Sequence, residues 1–198
     1  MGLLNWRKLE EHFGTDSEYL GFLRDSTSAA QRLCHILSNS RFLGDALNKS
    51  VESVTWLGSD NDLQPRSRES LDVQTHASLE RNAGSINDFA NSIRAMRRHE
   101  IERIGLGWMS GVIDDKASLA GMTDVYDAAI DASLTWAIRH QTQEMGLDEA
   151  PAAIAVIGMG RYGGREVNFS SDADVIIIYR PSDNCLLYTS PSPRDTER

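Results

Sequence analysis

The residues best suited to chemistry lie together in one stretch, 155-AVIGMGRYGGREVNFSSDADVIIIY-179. Gly158, Gly160, Gly163 and Gly164 follow one apolar run, and Asp172 and Asp174 come just ahead of a second. Gly158, Gly160 and Gly163 spell G-x-G-x-x-G, the pattern of a dinucleotide-binding turn. That fold sets the third glycine in a helix of about three turns and puts its useful acid at the end of the next strand, about 20 residues on. Here the acids arrive too early. The intervening GREVNFSSDAD has no room for three turns and poor helix propensity at Asn168, Ser170, Ser171 and Asp172. A P-loop fails as well, because Gly164-Arg165 stand where Gly-Lys-Ser/Thr is required.

Metal-dependent phosphate chemistry uses the whole stretch. Asp172 and Asp174 are two apart at the entrance to a strand, where residues i and i+2 share a face. Two carboxylates about 7 Å apart along the backbone suit hard divalent cations such as Mg²⁺, and without metal they repel each other. Glycines let the backbone approach a triphosphate, and amide N–H groups with the Ser170 and Ser171 hydroxyls can hold phosphate oxygens without adding negative charge. These are the parts for nucleotidyl transfer, in which paired ions stabilise the attacking and leaving oxygens. The plainer alternative is a polar Ser-Asp-Ala-Asp turn beside a tight glycine connection.

The elements that would position this stretch are mostly helical. In 26-STSAAQRLCHILSNSRFLGDAL-47, Ala29, Ala30, Leu33, Cys34 and Leu37 form an apolar stripe behind a Ser26 cap. Gly58 and Pro65 bracket a turn-rich break, and the pattern resumes through Leu71 and Leu79 and across Gly84. Phe89, Ile93, Met96, Ile101, Ile104 and Trp108 predict a long helix from Ile86 to about Val112, interrupted near Gly105 and Gly107. Another runs from about Ser118 to Met145, with Leu119, Met122, Tyr126, Ala129, Ile130, Leu134, Ala137 and Ile138 on one side and Gly146 placed to stop it. After Pro151 the period changes, and AAIAVIGM and VIIIY read as strands joined by the glycine loop. The expected division is a helical part, 1–148, the start of an α/β domain, 149–184, and a tail, 185–198, that resembles a translated adapter read-through outside the fold, with a natural Ser/Pro-rich tail as the alternative.

Composition narrows the class. The 198 residues are 40% hydrophobic and 25% charged, as in a globular protein, and a net charge of −9 with pI near 5.0 argues against coating nucleic acid. Cys34 and Cys185 are too few for a disulfide framework or a zinc site. No run approaches the roughly 20 apolar residues of a membrane span, and the N-terminus lacks a signal-peptide pattern, so the expectation is a cytoplasmic protein. Four other features invite plainer readings: 94-RAMRRHEIER-103 could dock phosphate or a partner but reads more simply as a solvated helix face; His35 reads as a core or boundary residue; Trp56, Trp108 and Trp136 read as core; Arg165 and Glu166 read as loop-holding residues rather than nucleotide contacts.

The residues GMGRYGGREVNFSSDADV resemble the G-[GS]…D-x-D signature of polymerase-β-like nucleotidyltransferases, and within them the glutamine synthetase adenylyltransferase/adenylyl-removing family. LRDSTSAAQRLCHILSNSRFLGDAL, VESVTWLGSDNDLQPR and IRAMRRHEIERIGLG are similar to the helical stretch ahead of a catalytic domain in that family, so the likeness covers about residues 1–183. It implies an α+β fold, a mostly α-helical domain followed by the truncated start of a nucleotidyltransferase α/β domain. It also implies transfer of AMP from ATP to a tyrosine of glutamine synthetase, Mg²⁺ held by Asp172 and Asp174, and a triphosphate lined by Gly160, Gly163, Gly164 and Ser171. A PII-type signalling protein would be a further partner. The adenylyl-removing, phosphorolytic half of the same enzymes and a non-catalytic helical regulatory module are the alternatives. The third carboxylate of the family would come from a later strand, so this chain alone is expected to be inactive.

Overall fold

A computed structural model describes residues 2–182; the expected tail at 185–198 lies outside the described residues. The order is α1 (Gly2–Phe13), α2 (Ser17–Asp25), α3 (Thr27–Asn39), α4 (Arg41–Leu47), α5 (Val51–Thr55), a 3₁₀ turn (Trp56–Gly58), α6 (Arg68–Arg81), α7 (Ile86–Met109), α8 (Asp115–Glu144), β1 (Ala152–Gly158), α9 (Gly160–Gly163) and β2 (Val175–Pro181). The architecture is α+β. None of the described helices is long and apolar enough to cross a membrane.

Helix starts follow the serines. Ser26, Ser40, Ser50, Ser67 and Ser85 each accept a backbone N–H three residues on, at 3.1–3.3 Å, and so satisfy donors that the first turn leaves unpaired. Asp114 does the same for α8, and Gly146, at φ +65°, ends it.

The helices bury three apolar clusters. Leu9, Leu33, Ile36, Leu37, Leu47 and Leu57 form the first, between α1 and the 3₁₀ turn. Leu71, Met96, Ile104, Met122 and Val125 form the second, between α6, α7 and α8. Phe89, Trp136 and Leu79 lie in the third, with the Phe89 and Trp136 rings stacked at 5.9 Å. Each fully buried leucine contributes about 1.5–3 kcal/mol to holding these layers together.

The glycines of α7 do not interrupt it. A Cβ on Gly107 would stand 2.3 Å from the Leu63 carbonyl oxygen, and one on Gly105 would stand 2.8 Å from Leu43 Cδ2. They mark close approach of neighbouring chain, not a break. Cys34, expected in the α3 stripe, and His35, expected as a core or boundary residue, are both exposed, while Ile36 is buried.

The solvated-face reading of 94–103 fails at its C-terminal end. Glu100, Glu102 and Arg103 are 2%, 4% and 8% exposed. Arg66 and Arg103 flank Glu100 at 3.2 and 3.3 Å; Arg103 lies 4.0 Å over the Trp56 ring and donates to the Asp62 carbonyl. Arg66, which pairs with Glu100, and Trp56 and Asp62, which meet Arg103, lie outside α7, so spacing within the helix could not reveal them. Trp56 and Trp136 are core, but Trp108 is 44% exposed and its Nε1–H donates to Asp115 at 2.7 Å.

Burial raises the Glu102 pKa, and the Ser53 hydroxyl, His99, Arg98 and Arg103 oppose the shift without cancelling it. A carboxyl that ionises less readily folded than unfolded leaves stability intact below the unfolded pKa and weakens it as pH rises through and above that value. Glu102→Gln is therefore expected to raise the urea midpoint at pH 7, with the gain disappearing below the ordinary glutamate range near ~4.3. Equal gains at pH 7 and at the acid end would contradict a titrating origin.

Candidate functional site

β1 and β2 pair antiparallel with Gly158 opposite Val175, and the Met159 N–H donates to the Asp174 carbonyl at 2.9 Å, so pairing runs up to the acids. Gly160 takes φ +53°, a left-handed conformation that suits glycine, and starts the single turn α9. One turn is far short of the three that a dinucleotide-binding helix needs. A Cβ on Gly163 would lie 2.4 Å from the Gly158 carbonyl oxygen, so no side chain fits there. The Gly163 and Gly164 N–H groups are spent on the Met159 and Gly160 carbonyls. Their contribution in this arrangement is clearance, not donation.

Tyr162 and Arg165 fasten this loop to α8. The Tyr162 ring and Val167 are buried in the second apolar cluster, and the Tyr162 hydroxyl donates to Asp127 Oδ1 at 2.6 Å. Burial and the Asp127 carboxylate both push the phenol pKa up, which keeps it a donor at neutral pH. Arg165 has φ +58°, a conformation costing about 1–3 kcal/mol, and its guanidinium meets Asp124 at 2.7 Å and Asp127 at 3.5 Å. The hydrogen bond to Asp124 raises the Arg165 pKa. Arg165 thus has the loop-holding contact expected from sequence. Arg68 of α6 completes the cluster, reaching Asp127 at 3.5 Å and Asp131 at 3.1 Å. Sequence reasoning missed these acids, although Asp124, Asp127 and Asp131 stand at i, i+3 and i+7 on one helix face.

Residues 171–174 precede the strand without regular structure. Asn168 organises their approach: its Oδ1 accepts from the Ser170 N–H at 3.0 Å, the Ser170 hydroxyl at 3.1 Å and the Ser171 hydroxyl at 2.9 Å. The Asn168 N–H in turn donates to Ser171 Oγ at 3.1 Å. A phosphate would reach the Ser171 proton only by displacing Asn168. The Ser171 carbonyl accepts from the Tyr126 hydroxyl at 3.3 Å, a second tie to α8.

Asp172 lines a cleft of about 760 Å³ between α7, α8 and the strand pair, together with Arg94, Arg97, Tyr126, Ile130, Val156 and Ile177. Asp174 Oδ2 lies beside Gly160, 3.9 Å from where a Cβ would stand. Neither aspartate side chain has a hydrogen bond or ion pair among the described residues. As unpaired hard-oxygen donors they suit a divalent cation chemically, although the described residues contain no group of three His, Cys, Asp or Glu that could hold one.

A family model described as glutamate-ammonia ligase adenylyltransferase matches residues 30–190, which takes in α7, α8, the glycine loop and both aspartates. The chain belongs to the glutamate-ammonia ligase adenylyltransferase family. Among curated proteins it is similar to the bifunctional glutamine synthetase adenylyltransferase/adenylyl-removing enzyme of Bifidobacterium longum (strain DJO10A), 77% identical over 93% of this chain and 17% of that one. The proteins of the same name from Leifsonia xyli subsp. xyli and Mycobacterium leprae are 39% and 35% identical, each over 91% of this chain. The chain spans only 17–18% of the length of these curated relatives. Membership of the adenylyltransferase family makes the glycine loop and the aspartates the residues to test first.

The clamp on the loop can be tested by itself. Tyr162→Phe keeps the buried ring and removes one hydrogen bond to a charged acceptor, worth about 1.5 kcal/mol. Amide hydrogen exchange across 159–167 of the full-length protein should speed up about tenfold, while protection in α7 and α8 stays unchanged. Unaltered exchange in the loop would show that the Tyr162 hydroxyl does not fasten it.

Proposed function

We propose that this chain is part of a nucleotidyltransferase that moves AMP from ATP to a tyrosine hydroxyl of glutamine synthetase. The observation that carries this reading is an unpaired Asp172 opening on the large cleft, with Asp174 beside a glycine loop that is fixed to α8. The names of the curated relatives supply the substrate and the reaction class.

Asp172 and Asp174 would hold Mg²⁺, which when bound offsets phosphate charge and favours displacement at phosphorus. Gly160, Gly163 and Gly164 let the backbone run close to the triphosphate, and Ser171 joins them once Asn168 releases its hydroxyl. The tyrosine oxygen bonds to the α-phosphorus as the bond to the β-phosphate oxygen breaks and pyrophosphate leaves. In the phosphorolytic reaction the same residues would serve while inorganic phosphate bonds to the phosphorus of the AMP-tyrosine linkage, the bond to the tyrosine oxygen breaks, and ADP forms as the tyrosine hydroxyl is regenerated. The name of the relatives covers both activities, so phosphorolytic removal is the second reading. The third carboxylate belongs to another part of the whole protein, which makes activity a property of the full-length enzyme. A PII-type regulator is part of the same proposal.

Asp172→Asn removes one charge and keeps the side chain's shape at a position without a partner to lose. In the full-length enzyme, incorporation of labelled AMP into glutamine synthetase should fall about 10²-fold or more, with the thermal midpoint unchanged. Transfer near the wild-type rate would remove Asp172 from the site. Running the assay with AMP-modified glutamine synthetase and phosphate, and measuring ADP, assigns the direction.

A further inference from the structure

The arginines of this acidic chain are mostly matched with carboxylates: Arg32 with Asp60, Arg66 and Arg103 with Glu100, Arg68 with Asp72, Arg139 with Glu80 and Arg165 with Asp124. Arg94 and Arg97 are among the arginines without such a match, as are Arg81, Arg98, Arg161 and Arg180, but these two line a cleft with an unpaired aspartate. Both are exposed, and neither makes an ion pair among the described residues. They stand three apart on α7, so they share a helix face. Both line the 760 Å³ cleft that Asp172 also lines.

Arg97 is held by an aromatic ring. Its guanidinium carbon sits 5.5 Å from the Tyr126 ring centroid, and the Tyr126 hydroxyl donates to the carbonyl of Ser171, the residue before Asp172. One tyrosine therefore spaces the guanidinium from the acidic loop. Stacking on a ring uses the flat face of a guanidinium and leaves its N–H edges free. Arg94 makes a single contact, 3.3 Å to Asn91 Oδ1 on its own helix. A rigid, unneutralised fork of donors matches phosphate oxygens better than an isolated carboxylate would, because several oxygens can be engaged at once.

The charge balance asks for such a pair. Asp172 and Asp174 lie by the cleft in a chain of net charge −9, and a triphosphate entering there adds more negative charge. Resting on the nucleotidyltransferase reading of this site, we infer that Arg94 and Arg97 bind the phosphate oxygens of the nucleotide in the cleft that they share with Asp172. The helical layer then forms one wall of the substrate site. Orientation of the polyphosphate comes from α7, and the approach to the α-phosphorus comes from the glycine loop.

The test uses full-length enzyme carrying Arg94→Gln, Arg97→Gln, both together, or Arg97→Lys, with Asp172→Asn as reference. The direct probe is inorganic tripolyphosphate, with binding measured by calorimetry. Each glutamine substitution should weaken it about tenfold and the pair more, and the KM for ATP should rise in parallel while the KM for glutamine synthetase holds. Arg97→Lys, which keeps charge but loses the planar fork, should recover part of the loss. Both side chains are exposed, so the thermal midpoint should not move. Unchanged tripolyphosphate binding in the double variant overturns the inference, as does a KM rise confined to glutamine synthetase, which would make the arginines a protein-docking face. If Asp172→Asn stays active while tripolyphosphate binding depends on the arginines, the anion site stands and the nucleotidyl-transfer reading falls.

Discussion

The site depends on two carboxylates one turn apart on α8. Asp124 and Asp127 face the glycine loop and receive Arg165 and the Tyr162 hydroxyl, while Arg68 balances Asp127 from α6. The need for such an anchor is physical. A two-stranded antiparallel pair is marginal in water by itself, and β2 leaves Ile176, Ile177, Ile178 and Tyr179 exposed. The pair keeps its place by sending Tyr162 and Val167 into the apolar cluster of the helices. Most of the clamp's charged groups remain partly open to water, so its ion pairs add little stability individually. Their effect is to fix direction: they set the strand ends, and with them Asp172, against a helix of 30 residues, about 45 Å long.

Geometry at the glycines follows from that anchoring. Gly163 must pass under the Gly158 carbonyl for α9 to close in one turn, and Gly160 must take positive φ for the chain to leave β1 toward α8. Similar spacings serve a dinucleotide fold, but there the glycines open onto a long helix. Here they open onto a turn that at once returns the chain to a second strand. The same glycine pattern therefore occurs in two backbone settings, and the element immediately C-terminal to it, long helix or single turn, tells them apart.

Features carried by neighbours in sequence were legible. The Ser26 cap, the stop at Gly146, the change of period after Pro151 and the two apolar strands all express local rules, and the described helices and strands obey them. The motif residues could be named from type and spacing alone. Contacts between distant segments could not. Gly105 and Gly107 look like helix breakers until Leu43 and Leu63 are seen against them. Glu100 and Arg103 look solvated until Arg66 and Trp56 arrive from earlier in the chain. The stretch holding Arg94 and Arg97 reads from sequence as a solvated helix face, and only the packing of α7 and α8 shows that both arginines and Tyr126 line one cleft with Asp172.

Everything proposed for this site turns on a metal-nucleotide position at Asp172 and Asp174, beside a loop clamped on α8. The most direct measurement is anomalous diffraction from crystals of the full-length enzyme grown with Mn²⁺ and a non-hydrolysable ATP analogue. The predicted result is a manganese peak within about 2.0–2.6 Å of carboxylate oxygens of both aspartates, with the analogue's phosphates in the cleft between α7 and β2. Manganese and phosphates seated elsewhere, with Asp172 and Asp174 facing only solvent, would contradict it.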